Sequence, residues 1–274
     1  MKKIIFLVLS ILCSFNLAAQ DSLATDSVQP SRAAHREFST VKIENATKAQ
    51  GDSAYIRNDF ASAIQIYESL LKTQGEASEV YYNLGNSYYK LGDMAKAILN
   101  YERALLLNPG DGDIRSNLEI ARSKTVDKVD VTPELFFVTW TNSLINCMGA
   151  DAWAKCGVAT FIFLIVSLYF FIFSKKVVLK KIGFIASIAL FVLVVLSNIF
   201  AAHQKDRLIN RKDAIIMAPS VTIKSTPNES GTDLFIIHEG RKVNIKDDSM
   251  KEWKEIKLED GNVGWIKTTD LEVI

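Results

Sequence analysis

The chain has 274 residues, with 32 lysine and arginine residues against 31 aspartate and glutamate residues and a formal net charge of +1. This near-neutral balance argues against a protein that binds nucleic acid, which would require a basic face. The length leaves room for two small folded modules in addition to membrane segments. The histidines His35, His203 and His238 are scattered along the chain, so the sequence predicts no metal site.

Residues 1–19 have the pattern of a secretory signal peptide. A short positive start, Met1-Lys2-Lys3, precedes an apolar stretch that ends in Ala18-Ala19. This order predicts cleavage after Ala19 and export of the chain that follows. The alternative is that the segment is retained as an uncleaved anchor. Residues 20–42 are polar and predict a flexible tether.

From residue 43 the pattern becomes helical, and it repeats at a constant offset. Tyr55, Ala63, Ile64, Tyr67 and Glu68 recur as Tyr89, Ala97, Ile98, Tyr101 and Glu102. The offset equals the period of the tetratricopeptide repeat, ~34 residues, in which two antiparallel helices form one unit. Residues 43–123 therefore predict an α-helical array of two repeats, closed by a third leading helix over residues 113–123 that acts as a solvating cap.

The two repeats differ in how well they fit this pattern. The second repeat has the small residues Gly85 and Ala97 where its helices must approach closely. Pro109 then follows its second helix, where the helix cannot continue. The first repeat fits less well, because Gln50 and Ala54 occupy positions where large apolar residues are expected.

Arrays that resemble this one bind peptides on a concave face lined by their leading helices. The predicted protein-binding groove consists of Tyr82, Asn86 and Tyr89 in the second repeat and Asn117 in the cap. In repeats that grip a C-terminal carboxylate, asparagines at the positions of Asn86 and Asn117 hydrogen-bond the ligand, but Tyr82 replaces the accompanying lysine. The alternative is that both asparagines bond only the neighbouring helix or solvent.

Residues 130–151 predict an amphipathic segment between the array and the first apolar run. Phe136, Phe137, Trp140 and Leu144 line one face of a helix. The tryptophan and the nearby apolar run favour a helix that lies in the membrane interface. The alternative is a helix packed on the array.

Two apolar runs follow, Gly157 to Phe173 and Ile182 to Ala202, and neither contains a charged side chain. At about 1.5 Å per helical residue, each run reaches or nearly reaches across a hydrocarbon core of about 30 Å. They predict transmembrane helices over residues 153–174 and 182–202. The lysine-rich connection at 175–181 is typical of a cytoplasmic loop. A hairpin returns the chain to its starting side. The basic residues Lys205, Arg207, Arg211 and Lys212 after the second run compete with the loop lysines, and the signal peptide decides that both soluble ends lie on the exported side.

Residues 213–274 alternate in the manner of strands and predict a small all-β module. Turns are predicted at Glu239-Gly240 and at Asp260-Gly261. With Val221 to Ser225, Trp253 and Gly264-Trp265-Ile266, these features resemble the bacterial SH3-like domain, which implies a barrel of five strands. Trp253 and Trp265 are the candidate ligand face, and the alternative is that both belong to the core with the neighbouring isoleucines.

The order of the modules describes a multidomain membrane protein and resembles the BatE-type proteins of the aerotolerance operon. This resemblance implies an inner-membrane protein that works beside other Bat proteins with von Willebrand factor A domains and, indirectly, a MoxR-type ATPase.

A phosphate loop, metal-ligand spacing and a nucleophile elbow are all missing from the sequence. We therefore expect a non-catalytic scaffold without a cofactor, linked to stress tolerance, that presents the groove and the SH3-like module in the periplasm. The alternative is an envelope sensor whose SH3-like barrel binds peptidoglycan.

Overall fold

The structure, a computed structural model, describes residues 46–128 and 135–274. The predicted signal peptide at 1–19 and tether at 20–42 lie outside the described residues. The first part of the predicted amphipathic segment lies outside them as well.

The first part of the described chain is an array of helices that pack against each other in chain order. The helices are α1 (Lys48–Ile56), α2 (Phe60–Gln74), α3 (Ser78–Leu91), α4 (Met94–Leu107) and α5 (Gly112–Ser123). Asp59 caps α2, and Asp93, one repeat later, caps α4, each by accepting a backbone N–H from the first turn of its helix. The predicted helical array with a third leading helix is therefore confirmed.

A close approach between helices occurs in both repeats and defines the core of the array. A Cβ atom on Gly85 of α3 would lie 2.7 Å from the Tyr101 ring of α4. Gly51 of α1, at the equivalent position one repeat earlier, meets the Tyr67 ring of α2 in the same way. The first repeat thus keeps the small residue that its helix pair requires, although the neighbouring Gln50 weakens its sequence signal.

Three helices follow the array: α6 (Phe136–Ile145), α7 (Ala150–Phe173) and α8 (Val177–Ile209). Both α7 and α8 are long and apolar enough to cross a membrane. They pack through small residues, and the Ser167 hydroxyl donates to the Gly183 carbonyl oxygen at 2.9 Å. Only residues 174–176 connect the two helices, so the connection is shorter than the predicted loop, and α8 extends beyond the predicted span at both ends.

The apolar side chains of these helices face outwards. Phe161 of α7 is 51% exposed and Ile185 of α8 is 66% exposed. The described residues of α6 include none that is buried, and Phe136 is 85% exposed. The alternative in which α6 packs on the array therefore does not hold for these residues.

Residues 213–273 contain a seven-stranded sheet in which every neighbouring pair is antiparallel. Its strands are β1 (Asp213–Ile216), β2 (Ser220–Lys224), β3 (Asp233–His238), β4 (Lys242–Asp247), β5 (Trp253–Lys257), β6 (Val263–Lys267) and β7 (Leu271–Val273). Their order in the sheet is β3-β2-β6-β5-β4-β1-β7. The positive φ angles of Gly240 and Gly261 confirm both predicted turns.

The sheet differs from the predicted five-stranded barrel in two ways. It has two additional strands, β1 and β7, and the outermost strands β3 and β7 are edges of an open sheet rather than partners. The added strands also contact the array, since Ile215 of β1 and Ile274 after β7 belong to the buried apolar cluster of the array. The rest of the sheet has its own core, which includes Ile223 and Ile266.

Candidate protein-binding groove

The structure brings the four predicted groove residues together on the leading helices. Tyr82, Asn86 and Tyr89 lie on α3, and Asn117 lies on α5. The Asn117 side-chain amide donates to the Tyr82 hydroxyl and to Asn86 Oδ1, both at 3.0 Å. These bonds tie the second repeat to the cap, so both asparagines take part in a contact between neighbouring leading helices.

The hydrogen bonds of Asn86 belong to a pattern that recurs in the first repeat. Asn86 Oδ1 accepts from the Tyr101 hydroxyl at 2.7 Å and from Asn117 Nδ2 at 3.0 Å. One repeat earlier in the array, Asp52 Oδ1 accepts from the Tyr67 hydroxyl at 2.7 Å and from Asn83 Nδ2 at 2.9 Å.

This recurring acceptor links each leading helix to its own trailing helix and to the next leading helix. Asp52, Tyr67 and Asn83 each precede their counterparts by one full repeat. Burial, followed by the hydrogen bond to Asp52, raises the pKa of Tyr67 and keeps its hydroxyl protonated as a donor. The tyrosine pair is visible in the repeat pattern of the sequence, whereas the acceptor pair is not, because the first repeat has an aspartate where the second has an asparagine.

A cavity of about 220 Å³ opens on this face of the array. Its walls include Tyr55 of α1, Tyr89 and Lys90 of α3, and Ile120 of α5. Ile120 is 49% exposed. The cavity thus combines aromatic and aliphatic walls with a lysine, a combination suited to an apolar side chain beside an acidic group.

A second lysine adds positive charge beside the same cavity. Lys124 Nζ lies 4.4 Å from the centroid of the Tyr89 ring, which is within the range of a cation–π contact. Four residues at or beside this cavity were not among the predicted groove residues: Lys90, Lys124, Ile120 and Tyr55. Tyr55 could have been found from its equivalence to Tyr89 in the repeat pattern.

The two candidate tryptophans of the sheet lie on its other face, away from the core. Trp253 pairs with Lys267, and Trp265 pairs with Glu255. Both positions alternate with the buried Ile256 and Ile266, so they point to the opposite side of their strands. The two tryptophans are half-buried and do not belong to the apolar cluster of the sheet, in contrast to the interpretation that makes them core residues.

The trailing helix α4 carries a charged junction with the sheet. Glu102, which is 7% exposed, forms ion pairs with Arg122 and with Lys242 of β4, the latter at 2.9 Å. Lys242 also lies 3.2 Å from Asp213. Burial raises the pKa of Asp213, but Lys242 and Asn244 outweigh that effect, and the pKa falls below its ordinary value.

Further contacts reinforce this junction at each side. Arg103 of α4 donates to Glu272 at 3.0 Å and to the Val273 carbonyl at 2.6 Å. Arg211, just after α8, forms a two-pronged ion pair with Glu76, with Nη1 to Oε1 at 2.8 Å. The array, the end of α8 and the sheet are therefore joined by buried apolar residues and paired charges, while the groove side of the array stays open.

The tetratricopeptide repeat family model matches residues 78–111. This segment contains α3 and α4 and the turn that precedes α5, so one full repeat of the array is identified independently of the pattern argument. A comparison of the chain with curated proteins finds no significant match.

Proposed function

We propose that the protein is a non-catalytic, membrane-anchored scaffold that binds other proteins in the groove of its helical array. The open aromatic cavity between α1, α3 and α5 carries this proposal. Tetratricopeptide repeats use their leading helices to bind extended segments of other proteins, and here the trailing face of α4 is already occupied by the sheet. The groove is accordingly the surface offered to partners.

The chemistry of the groove indicates the kind of segment it takes. Tyr55, Tyr89 and Ile120 provide apolar contact, and Lys90 and Lys124 provide positive charge. The asparagine side chains are engaged with the array itself. The ligand is therefore an extended segment with an aliphatic or aromatic side chain and a nearby carboxylate, bound without an asparagine-based carboxylate clamp.

Membrane anchoring is supported by the two long apolar helices α7 and α8, whose apolar side chains are exposed. The exposed face of α6 continues this surface, with Trp140 at 69% exposure, and supports a helix in the interface. In this proposal the hairpin lies in a bacterial inner membrane. The signal peptide pattern and the lysines near the α7–α8 connection support a periplasmic array and sheet.

The resemblance to BatE-type proteins supports a place in an aerotolerance or stress complex. The partners would be membrane proteins with von Willebrand factor A domains, coupled indirectly to a MoxR-type ATPase. The short strands and the glycine turns at Gly240 and Gly261 support an SH3-like relationship for the sheet, as an open form of that module.

One observation favours a second function, that of an envelope sensor. Trp253 and Trp265 lie on the outer side of β5 and β6 rather than in the core. Tryptophan rings at such positions suit stacking on sugars or peptides. In this alternative the sheet binds peptidoglycan and the array reports the binding to a partner.

The test is affinity purification of the tagged full-length protein after crosslinking in intact cells, followed by mass spectrometry. Tyr89→Ala combined with Ile120→Ser alters two walls of the groove, and Lys72→Ala on the exposed end of α2 is the matched control. We expect the wild type and the control to recover the same membrane proteins and the groove variant to lose them.

If the groove variant retains every partner at the wild-type level, the groove is not the binding surface. Recovery of cell-wall fragments that is abolished by Trp253→Ala and Trp265→Ala, without recovery of membrane proteins, would favour the sensor instead. Thermal unfolding of each variant shows whether it is folded.

A further inference from the structure

A second cavity, of about 380 Å³, lies where the array, the end of α8 and the sheet meet. Five cationic and three acidic side chains line it. Its volume lies in the range of pockets that hold small ligands, about 300–1,000 Å³. The excess of positive charge indicates that this cavity is suited to an anion.

The acidic side chains of this cavity already have partners. Glu102 is paired with Arg122 and Lys242. Asp213 is paired with Lys242 at 3.2 Å, and Asp206 accepts from Asn210 at 2.6 Å. Because Asn210 is neutral, Asp206 keeps its own negative charge, and the excess of positive charge comes from five cationic side chains against three carboxylates.

Three cations of the cavity form no direct ion pair with a carboxylate among the described residues, although Arg207 is close enough to Asp213 to stabilise its charge. Arg207 bonds the neutral side chain of Asn146 at 3.2 Å, and Arg115 bonds the carbonyl oxygen of Pro109 at 2.8 Å. The Lys212 side chain makes neither an ion pair nor a hydrogen bond within the described part of the chain. Because a guanidinium has five N–H donors, Arg207 and Arg115 keep donors for a bound anion.

The cavity also lies at a particular height along α8. Arg207 comes five residues after Ala202, where the apolar run ends, which is about 7.5 Å at 1.5 Å per residue. The polar headgroup layer on each side of a bilayer is about 5–8 Å thick. Arg207 therefore lies at the level of the lipid headgroups when the apolar run spans the hydrocarbon core.

We propose that this junction cavity binds the phosphate of an anionic lipid headgroup through Arg115, Arg207 and Lys212. The proposal rests on the membrane placement given above. It assigns the cavity a role in fixing the array and the sheet to the membrane surface, separate from the binding of proteins in the groove.

The test uses the full-length protein in nanodiscs that contain equal amounts of phosphatidylglycerol and phosphatidylcholine, with native mass spectrometry of the retained lipids. We expect the wild type to retain phosphatidylglycerol preferentially. Lys212→Gln and Arg207→Gln should each reduce this preference about fivefold, which corresponds to about 1 kcal/mol per basic side chain at a membrane surface. Lys205 lies on α8 with Arg207 but outside the cavity. Lys205→Gln is therefore the matched control and should leave the preference unchanged.

An equal loss in Lys205→Gln would overturn the proposal, because the effect would then come from surface charge and not from the cavity. Retention without lipid preference would also overturn the lipid assignment. In that case, titration of the detergent-solubilised protein with glycerol phosphate decides whether the cavity binds a soluble phosphate or no anion. Binding that depends on Lys212 assigns the cavity to a soluble phosphate, and no binding rejects an anion site altogether.

Flotation of the protein with liposomes tests the membrane placement by itself. A protein that floats with liposomes but shows no preference contradicts only the cavity assignment. A protein that does not float contradicts the placement on which the lipid assignment rests.

Discussion

The leading and trailing sides of the helical array meet different surroundings, although both come from the same repeat pattern. On the leading side, Asn117 donates one hydrogen bond to Asn86, and an open cavity with aromatic walls lies beside them. On the trailing side, Glu102 and Arg103 bond residues of the sheet. The array therefore docks the sheet on its trailing side and leaves its leading side open.

Glu68 and Glu102 occupy the same position in successive repeats but meet these different surroundings. Glu102 lies in the charged junction, whereas Glu68 accepts a hydrogen bond from the Tyr88 hydroxyl at 2.6 Å. Glu102→Ala removes a buried carboxylate that pairs with both Arg122 and Lys242, and it should lower the free energy of unfolding by about 3–5 kcal/mol.

The matched variant Glu68→Ala removes a single hydrogen bond to a charged group and should cost about 1.5 kcal/mol. Thermal unfolding of both variants in detergent measures the difference. Equal losses would mean that the junction adds nothing to the stability of the array.

A second variant tests the core that both sides share. Gly85→Ala places a methyl group 2.7 Å from the Tyr101 ring, which should cost about 1–3 kcal/mol through overpacking. Gly112→Ala, at the start of α5, meets no atom within 4 Å and should be neutral or slightly stabilising. A neutral Gly85→Ala would show that α3 and α4 do not approach as closely as described.

The junction should also depend on pH. The pKa of Asp213 is lowered in the folded state from its ordinary value of 3.8. Its contribution is therefore fully present above 3.8 and is lost as the pH falls through the lowered folded pKa. The advantage of the wild type over Asp213→Asn should be about 1 kcal/mol at pH 7, because the pair is partly screened by solvent.

Denaturant unfolding from pH 7 down to pH 3 measures this advantage, which should shrink only at the acidic end. If the stability advantage of the wild type over Asp213→Asn grew on acidification, the pKa of Asp213 would be raised in the folded state and not lowered.

The smallest effect is expected on the open side. Lys124→Gln removes the cation–π contact with Tyr89 and should cost about 0.5–1 kcal/mol. Lys90→Gln also removes one positive charge, but Lys90 has no ring contact among the described residues. It should therefore lower the free energy of unfolding by less than Lys124→Gln does. Both variants should weaken binding of an acidic segment more than they weaken the fold, as isothermal titration with a partner peptide would measure.

The features that could be predicted from sequence are those that depend on the spacing of residues close together in the chain or on a constant repeat offset. The constant offset between repeats located the paired helices, and Gly240 and Gly261 located two turns of the sheet. Strand β7 has only three residues, and strand β1 was missed because Ala214, Ile215 and Ile216 are buried in succession. One face of β1 packs on the array and the other on the sheet, so the alternation that marks a strand is lost.

The groove was only partly predictable for a related reason. Tyr89 and Asn117 were assigned in the sequence analysis. The wall residue Ile120 lies one full repeat after Asn86, so the same offset could have located it, but an isoleucine does not continue the polar acceptors Asp52 and Asn86. The junction was out of reach, since Glu102 and Lys242 are 140 residues apart in sequence. Contacts of that kind depend on how separate elements dock, which a single sequence does not specify.

The most direct test of the scaffold function is site-specific photo-crosslinking in intact cells. A photoreactive residue at Ile120 probes the groove, and one at Lys72 probes an exposed position on α2. We expect discrete adducts with membrane or periplasmic proteins from position 120 and none of the same adducts from position 72. Identical adducts from both positions, or none from position 120, would contradict the groove as the binding surface.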